Sequence, residues 1–341
     1  MSARYNVAVV GATGLEGEAA LALLAERAFP VDTLFALDQA EAAGARVEFK
    51  DGYVRVQDVA TFDFTKAAIA LFFAGETVAA QHAPRAATAG CVVIDDSPAF
   101  RGEPDVPLVV PEVNAAAIAD HRQRRIISNP GACATLLAAA LRGIHGAVGL
   151  ARVNVVTCQA VSGAGKSAVD ELAAQTTALF NMQGVSPRVF PKQIAFNVLP
   201  QIGDLLDNGY SREEVKLAEE TRRVFADESI QINATCLRVP VFYGHALAVH
   251  LETCAPLDVE AARALLEDAP GVAVMDGGRK GGYPTAVSEA AGGDAVYIGR
   301  LRRDLTHPCG LDLWIVADNV RKGAALNSIQ IAEILVKDHL G

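Results

Sequence analysis

The chain has 341 residues, 51% hydrophobic and 21% charged, which suits one large domain or two and excludes a disordered chain. Its formal net charge of −10 disfavours nucleic acid and anionic membrane surfaces as partners. The six cysteines include no CxxC pair. We therefore expect no zinc site, no other metal site and no disulfide framework. The N-terminus lacks the features of a signal peptide, and no run approaches about 18 apolar residues, so we expect a cytoplasmic protein.

The first part of the chain alternates apolar runs with helical patterns. Strands are predicted at 7–10, 33–37, 67–73 and 91–94, and a helix over 15–28. This alternation indicates βαβ units and a parallel sheet. Ligands bind such sheets beyond the carboxyl ends of the strands, which here are Gly11, Leu37, Ala74 and Asp95.

After about residue 130 the pattern becomes mixed. Helices are predicted at 133–144, 168–180 and 212–225, and strands at 153–158, 230–237, 247–251, 272–275, 295–301 and 311–316. This α+β stretch is interpreted as a second domain. A last amphipathic helix is predicted over 322–340.

A glycine-rich loop follows the first predicted strand. It reads Gly11-Ala12-Thr13-Gly14-Leu15-Glu16-Gly17 and opens a helix. Glycines allow a tight turn and a close approach to a pyrophosphate, and the helix N-terminus offers free N–H groups to the anion. The position of the loop favours a dinucleotide site over an ordinary strand-to-helix turn.

Asp38 ends the second predicted strand, where the adenosine ribose would lie. Its carboxylate can accept hydrogen bonds from both ribose hydroxyls and would repel a 2′-phosphate. The cofactor is therefore NAD or NADP, with NAD favoured. The alternative is a solvent-exposed turn residue.

Several motifs spread over the chain resemble one enzyme family. They are Gly11-Ala-Thr-Gly14, Phe100-Arg101, Pro107–Asn114, Gln159–Gly165, Ile194–Asn197, Glu213–Lys216, Arg238–His245, Gly299–Arg302 and Asp318–Asn327. With these the chain resembles the aspartate-β-semialdehyde dehydrogenases. The segment Pro240-Val-Phe-Tyr-Gly-His245 resembles the branch of this family called USG-1-like.

The resemblance implies an α/β fold with an N-terminal Rossmann-type parallel sheet and an α+β substrate and dimerisation domain. The expected domains are 1–130 with 320–341 for the dinucleotide and 131–319 for substrate, the last helix returning to the first domain. It also implies an NAD(P)-dependent homodimer in lysine, threonine and methionine biosynthesis. The reaction would reduce L-aspartyl-4-phosphate to L-aspartate 4-semialdehyde through a cysteine thioester and release phosphate.

The resemblance also implies roles for single residues. Arg101 and Lys216 would bind the phosphate, Glu213 the substrate amine and Arg238 the α-carboxylate. Gln159 would orient the acyl intermediate, His245 would act as acid and base, and Gly165 and Asn319 would contact the cofactor. From spacing alone, most pairs like Glu213 and Lys216 are solvated i,i+3 ion pairs on one helix.

Arg238 and His245 are seven residues apart, which would put them on opposite faces of one straight strand. Gly244 must then permit a bend if both face one pocket.

The candidate nucleophile does not follow the family spacing. The chain reads Asn129-Pro-Gly-Ala-Cys133, with the cysteine three residues after the proline, where the family pattern has two. An ungapped alignment places Ala132 at the nucleophile position.

Two interpretations remain open. Cys133 could be presented at the helix N-terminus, where the dipole would lower its pKa. Alternatively Cys133 packs inside, and the chain is a nucleotide-binding paralogue without turnover. A third candidate is an N-acetyl-glutamyl-phosphate reductase, although its fuller Asn-Pro-Gly-Cys motif is not reproduced.

Overall fold

The structure, a computed structural model, describes residues 3–340. The helices are α1 Leu15–Glu26, α2 Gly75–Thr88, α3 Pro111–Asn114, α4 Ala132–Val148, α5 Lys166–Phe180, α6 Arg212–Phe225, α7 Val259–Glu267 and α8 Leu326–Asp338. The strands are β1 Tyr5–Val10, β2 Val31–Asp38, β3 Arg46–Phe49, β4 Gly52–Arg55, β5 Gln57–Asp58, β6 Ile69–Phe72, β7 Val92–Asp95, β8 Ile126–Ser128, β9 Leu150–Gln159, β10 Gln231–Arg238, β11 His245–Thr253, β12 Val272–Val274, β13 Val296–Arg303 and β14 Gly310–Ala317. Among residues 3–340, no helix has the length and apolarity needed to span a membrane.

The chain divides into two compact units. An N-terminal unit contains Met1–Gly131 and Ala324–Gly341, and a C-terminal unit contains Ala132–Gly323. The predicted domain boundaries fall within a few residues of these limits. That each unit is an independent domain remains a prediction.

The N-terminal unit is built on a parallel sheet in the order β5-β2-β1-β6-β7-β8. Successive side chains of β1 point to opposite faces, so Val7 and Val9 enter one apolar core and Ala8 and Val10 the other. Helices α1 and α8 supply the first core, and α2 supplies the second. The predicted Rossmann-type sheet and the return of the last helix to this unit are confirmed.

The C-terminal unit contains a mixed sheet in the order β10-β9-β11-β14-β13-β12. Strand β9 runs parallel to β10 and antiparallel to β11. Helices α4, α6 and α7 pack on one face of this sheet. The mixed sheet confirms the predicted α+β class of the second half.

Some elements differ from the sequence prediction. The last α-helix begins at Leu326 because 321–325 form a π-helical turn. The β3–β4 hairpin, β8 and the helices α2 and α7 were not predicted. Helix α2 mixes polar residues with Pro84 and lacks a strong apolar stripe, which hides it from periodicity.

Candidate active site

The glycine loop in the N-terminal unit has no room for a side chain at Gly11 or Gly17. Gly11 has φ +80, and a Cβ there would lie 2.6 Å from the Phe73 carbonyl oxygen. A Cβ at Gly17 would lie 2.1 Å from the Gly11 carbonyl oxygen, so α1 packs directly on the loop. Gly14 precedes α1, and Leu15 and Glu16 form its first turn. This close-packed turn before a helix N-terminus fits the pyrophosphate of a dinucleotide.

Asp38 is bound to the same loop through Thr13. Its Oδ2 accepts hydrogen bonds from Thr13 N at 3.1 Å and from Thr13 Oγ1 at 2.6 Å, while Oδ1 accepts from Gln39 N at 2.9 Å. Asp38, at the end of β2, is thus held against the glycine loop by hydrogen bonds. Since a carboxylate offers about four acceptor sites, roughly one stays free for a further donor.

Arg101 lies after β7 at the carboxyl edge of the same sheet. Its Nε donates to the Asn129 carbonyl oxygen at 2.8 Å, and its Nη2 donates to the Asp96 carbonyl oxygen at 2.5 Å. The Asn129 amide in turn donates to the Asp96 carboxyl group and accepts from Asn327. These backbone contacts fix the direction of the guanidinium.

Three carboxyl groups of the N-terminal unit, those of Asp95, Asp96 and Glu16, have raised pKa values. Burial raises the pKa of Asp95 to about 7, although hydrogen bonds from Ser97 oppose the shift. Burial also raises the pKa of Asp96 well above its usual value, against the effect of Arg101, and burial raises the pKa of Glu16. Sequence reasoning gave Asp96 no role, although its place at the carboxyl end of a strand was a usable signal.

In the C-terminal unit, three predicted site residues converge at the end of β9. Gln159 ends β9 and is paired in register with Arg238 at the end of β10. His245 begins β11, on the other side of β9. A Cβ at Gly163 would lie 3.0 Å from Arg238 Nη1 and 3.1 Å from His245 Nε2. The two side chains therefore lie beside the same glycine.

Arg238 and His245 do not lie on one straight strand, as the sequence predicted if both face one pocket. The two residues belong to different strands, and the turn between them includes Gly244 at φ +88. A positive φ is costly for residues with a Cβ, so glycine makes this turn possible. The predicted bend at Gly244 is confirmed.

His245 is buried and neutral near pH 7. Burial, followed by the charge of Arg238, lowers the pKa of its imidazole well below the usual value. Its Nδ1 accepts a hydrogen bond from Ala160 N at 3.1 Å. In the neutral ring the proton is then on Nε2, so Nε2 faces its surroundings as a donor.

Glu213 joins this cluster from α6. Its Oε1 accepts a hydrogen bond from Gln159 Nε2 at 3.1 Å, and its charge acts on the buried Arg238. Arg238 Nη1 also donates to the Ala160 carbonyl oxygen at 2.7 Å. Lys216 is half-buried one turn later on α6. A capping box formed by Ser211 and Glu214 fixes the start of this helix.

Cys133 lies in the first turn of α4 and is 2% exposed. Its thiol lies near Thr157, Glu213, Cys236 and Arg238, which all act on its pKa. The expectation of a lowered thiol pKa is wrong. Burial, followed by the negative charge of Glu213, raises the pKa of Cys133 well above its usual value, which outweighs any benefit from the helix N-terminus.

Ala132, the residue at the ungapped nucleophile position, starts α4. A Cβ at Gly323 would lie 2.7 Å from the Ala132 Cβ, so the backbone at Gly323 packs directly on this methyl group. Ala132 and Cys133 are successive helical residues, about 100° apart around the axis. Their side chains therefore have different neighbours.

Asn319 is buried beside the Gly244 turn. Its Oδ1 accepts hydrogen bonds from Ser162 Oγ at 3.1 Å and from Gly244 N at 3.0 Å. A contact from Asn319 to a ligand carbonyl would come from its amide Nδ2. Gly165 has φ +85 directly before α5, and no atom lies within 4 Å of a Cβ built there.

Sequence reasoning missed Thr157 and Cys236. Thr157 lies two residues before Gln159, and Cys236 lies two residues before Arg238. Side chains two residues apart in a strand share a face, so this spacing was the available signal. Both residues are fully buried in the same cluster as Cys133.

Comparisons with known proteins cover both units. A family model described as semialdehyde dehydrogenase, NAD binding domain, matches residues 6–121. A second, described as semialdehyde dehydrogenase, dimerisation domain, matches residues 141–322.

Curated relatives and solved structures match over nearly the whole chain. An aspartate-semialdehyde dehydrogenase of Legionella pneumophila is 51% identical over 100% of this chain and 98% of its own. The crystal structure of aspartate semialdehyde dehydrogenase II from Vibrio cholerae, complexed with ASA, matches at a TM-score of 0.97 and 51% identity, over 99% of this chain and 100% of that one. A probable aspartate-semialdehyde dehydrogenase from Pseudomonas aeruginosa matches at a TM-score of 0.94 and 40% identity, over 99% and 100%.

Proposed function

The chain belongs to the aspartate-semialdehyde dehydrogenase family of NAD(P)-dependent phosphorylating oxidoreductases, and from this premise we propose that its reaction runs through a thioester on Cys133. The substrate is L-aspartyl-4-phosphate, and the products are L-aspartate 4-semialdehyde and phosphate. One observation supports the proposal that the cluster at the end of β9 carries out the reaction. Gln159, Glu213, Arg238 and Cys133 lie together in one buried cluster, with His245 beside Arg238.

The charged residues of the cluster suit an amino-acid substrate. Arg238, buried and held by the Ala160 carbonyl oxygen, is proposed to bind the α-carboxylate as a bidentate fork. Glu213, in contact with Gln159, would bind the substrate amine. Arg101 and Lys216 would bind the phosphate, since cations stabilise its oxyanions.

In the covalent step the Cys133 thiol would lose its proton to solvent, the thiolate would attack the acyl carbon, and the bond to phosphate would break, with phosphate leaving with the electron pair. The nicotinamide cofactor, when bound, would supply the hydride that reduces the thioester, and the carbon–sulfur bond would then break to release the aldehyde and the Cys133 thiolate. His245, protonated on Nε2, would donate a hydrogen bond to the oxygen of the tetrahedral species. Gln159 would hold the acyl group in place.

The cofactor is proposed to lie on the loop 11–17, with Asn319 and Gly165 near the nicotinamide and Asp38 near the adenosine ribose. The negative charge of Asp38 supports a preference for NAD over NADP, since a 2′-phosphate beside it would be repelled. An aspartate-semialdehyde dehydrogenase from Candida albicans, similar in fold at 22% identity, has been solved with NADP.

The test of the covalent role is Cys133→Ala. We expect kcat to fall by about 10³-fold or more, because an alanine cannot form the thioester. The measurement is phosphate-dependent oxidation of the semialdehyde, followed by the absorbance of reduced nicotinamide. Cys254→Ala, at an exposed cysteine, is the matched control and should retain turnover. Unchanged turnover in Cys133→Ala would contradict the assignment.

The burial of Cys133, which is 2% exposed, favours a second candidate function, a nucleotide-binding paralogue without turnover. Burial and the negative charge of Glu213 raise the pKa of its thiol, and both therefore disfavour the reactive thiolate. Under this candidate the unsubstituted protein has no turnover, and Ala132→Cys creates it. Turnover by the unsubstituted protein would exclude it.

We also propose a homodimer formed through the C-terminal unit, in line with the dimerisation-domain match. Cytoplasmic location and membership of the USG-1-like branch remain predictions from the sequence.

A further inference from the structure

Helix α8 brings a fully buried asparagine, Asn327, into the N-terminal unit as its second residue. The Nδ2 of Asn327 donates one hydrogen bond to the Val109 carbonyl oxygen at 3.0 Å and another to Asn129 Oδ1. Asn327 therefore joins two segments of the chain that are distant in sequence. It also ends the motif Asp318–Asn327, in which only Asn319 has a role in the proposed function.

The side chain of Asn129 is fully buried and receives its direction from Asn327. A side-chain amide has an oxygen end that accepts and a nitrogen end that donates. Because Asn327 donates to the oxygen of Asn129, the nitrogen points the other way and donates to Asp96 Oδ1. The same nitrogen lies 3.5 Å from the Ala324 carbonyl oxygen. The donor on α8 thus decides which end of the Asn129 amide meets Asp96.

The main chain of Asp96 and Asn129 holds the guanidinium of Arg101. The Arg101 Nη2 donates to the Asp96 carbonyl oxygen at 2.5 Å, and Nε donates to the Asn129 carbonyl oxygen at 2.8 Å. The hydrogen bond between the side chains of Asp96 and Asn129 therefore fixes the spacing of the two oxygen atoms that direct Arg101. Both oxygen atoms are uncharged, so they orient the guanidinium without cancelling its charge. Burial raises the pKa of the Asp96 carboxyl group against the effect of Arg101, which favours its neutral form as well.

We propose that Asn327 is a positioning residue for Arg101: through the Asn129 amide it holds the two carbonyl oxygens that direct the guanidinium toward the phosphate of the substrate. The inference rests on the proposed function, in which Arg101 binds that phosphate. A guanidinium binds an oxyanion best as a two-pronged fork, which requires a fixed direction as well as a charge. The return of the last helix to the N-terminal unit then serves the site, because α8 supplies the first donor of this series of hydrogen bonds.

The experiment measures the dissociation constant of inorganic phosphate for the full-length protein by the line width of its phosphorus NMR signal. This measurement does not require turnover. Asn327→Ala removes both hydrogen bonds that Asn327 donates to Val109 and Asn129. We expect the dissociation constant to rise about threefold to tenfold, because the loss of a buried hydrogen bond lets the guanidinium turn away from the anion. In steady-state kinetics the Michaelis constant of phosphate should rise by a similar factor, and that of the semialdehyde should not change.

Asn114→Ala is the matched control for a general loosening of the segment around residue 109. The Asn114 Nδ2 donates to the Leu108 carbonyl oxygen at 2.9 Å, and its Oδ1 accepts from Val110 N at 2.9 Å. These two hydrogen bonds stay within residues 108–114 and do not involve the Asn129 amide. Asn114→Ala should therefore leave the dissociation constant of phosphate unchanged, even where it lowers stability.

Asp96 provides a second pair of variants. Asp96→Asn retains an oxygen atom that accepts from the Asn129 amide, so it should bind phosphate as tightly as the unsubstituted protein. Asp96→Ala removes the acceptor and should weaken phosphate binding, as Asn327→Ala does. If Asp96 acted through its charge, the two variants would change phosphate binding alike.

Each outcome decides the proposal. An unchanged dissociation constant in Asn327→Ala, or an equal rise in Asn114→Ala, overturns it. If Asn327→Ala does not fold, the Asp96 variants decide, and equal dissociation constants in the two of them overturn the proposal.

Arg101→Leu tests the proposed function separately. If this variant binds phosphate as tightly as the unsubstituted protein, Arg101 is not the phosphate ligand, and the proposed role and the inference built on it both fail. If Arg101→Leu weakens phosphate binding and Asn327→Ala does not, the inference alone fails and the role of Arg101 stands.

Discussion

At the scale of single residues, the placement of one carboxylate links strand β2 to the glycine loop. Both oxygens of Asp38 are engaged by Thr13 and Gln39, so the charge is held in a fixed position at the edge of the sheet. A fixed negative charge discriminates between cofactors more strongly than a mobile one, because no side-chain rotation can remove it from a 2′-phosphate.

We predict that NAD binds more tightly than NADP and that Asp38→Ser narrows the difference by about tenfold, or ~1.4 kcal/mol. Serine retains a hydrogen-bonding oxygen and removes the charge. Isothermal titration calorimetry with both cofactors measures the two dissociation constants. Thr13→Val is the control, since it removes the Thr13 hydroxyl hydrogen bond to Asp38 and keeps the charge. Tighter binding of NADP by the unsubstituted protein would refute the preference.

At the scale of elements, helix α4 carries Cys133 at its first turn and packs against α7 further along. Gly143 makes that contact possible, since a Cβ there would lie 2.7 Å from the Leu265 carbonyl oxygen. Gly146, one turn later, has no atom within 4 Å of its Cβ position. A side chain at Gly143 would therefore collide with α7, whereas a side chain at Gly146 would have free space.

We predict opposite effects of alanine at these two positions. Gly143→Ala should lower the free energy of unfolding by about 1 to 3 kcal/mol, because backbone atoms of α7 must move. Gly146→Ala should raise it by up to about 1 kcal/mol through helix propensity. Urea denaturation followed by circular dichroism measures both. A stabilising Gly143→Ala would show that α4 and α7 are further apart than described.

At the scale of the whole molecule, the C-terminal sheet has one face packed by α4, α6 and α7 and another that carries exposed side chains. Val156 and Ala248 are exposed on it, beside the half-buried Trp314. A groove of about 620 Å³ runs along these strands. Apolar side chains on an exposed sheet face are typical of a protein interface, and this one lies within the region matched by the dimerisation-domain model.

We predict that Ala248→Arg converts a dimer into monomers, because two symmetry-related arginines would be buried at one interface without partners. Sedimentation velocity measures the change in mass. Ala261→Arg, at an exposed alanine on α7, is the matched control and should remain dimeric. A dimer that survives Ala248→Arg would place the interface elsewhere.

The sequence by itself determined the classes of the two halves, because the periodicity of apolar side chains is set by local geometry. It also identified the glycine loop, since only glycine fits the turn at Gly11 and the close approach at Gly17. The sequence pattern predicted the bounds of α6 correctly, because a capping box marks the start of this helix in the sequence itself.

Only the tertiary structure decided how the candidate site is assembled. Arg238 and His245 lie beside the same glycine, Gly163, and their strands pair with opposite edges of β9, an arrangement that spacing along the chain does not encode. The Cys133 thiol lies near Thr157 and Cys236 because α4 packs on the C-terminal sheet, and its raised pKa follows from the resulting burial and the charge of Glu213. The burial of a residue and the charges around it depend on neighbours that are distant in the sequence. Only the packing of the chain brings these neighbours together.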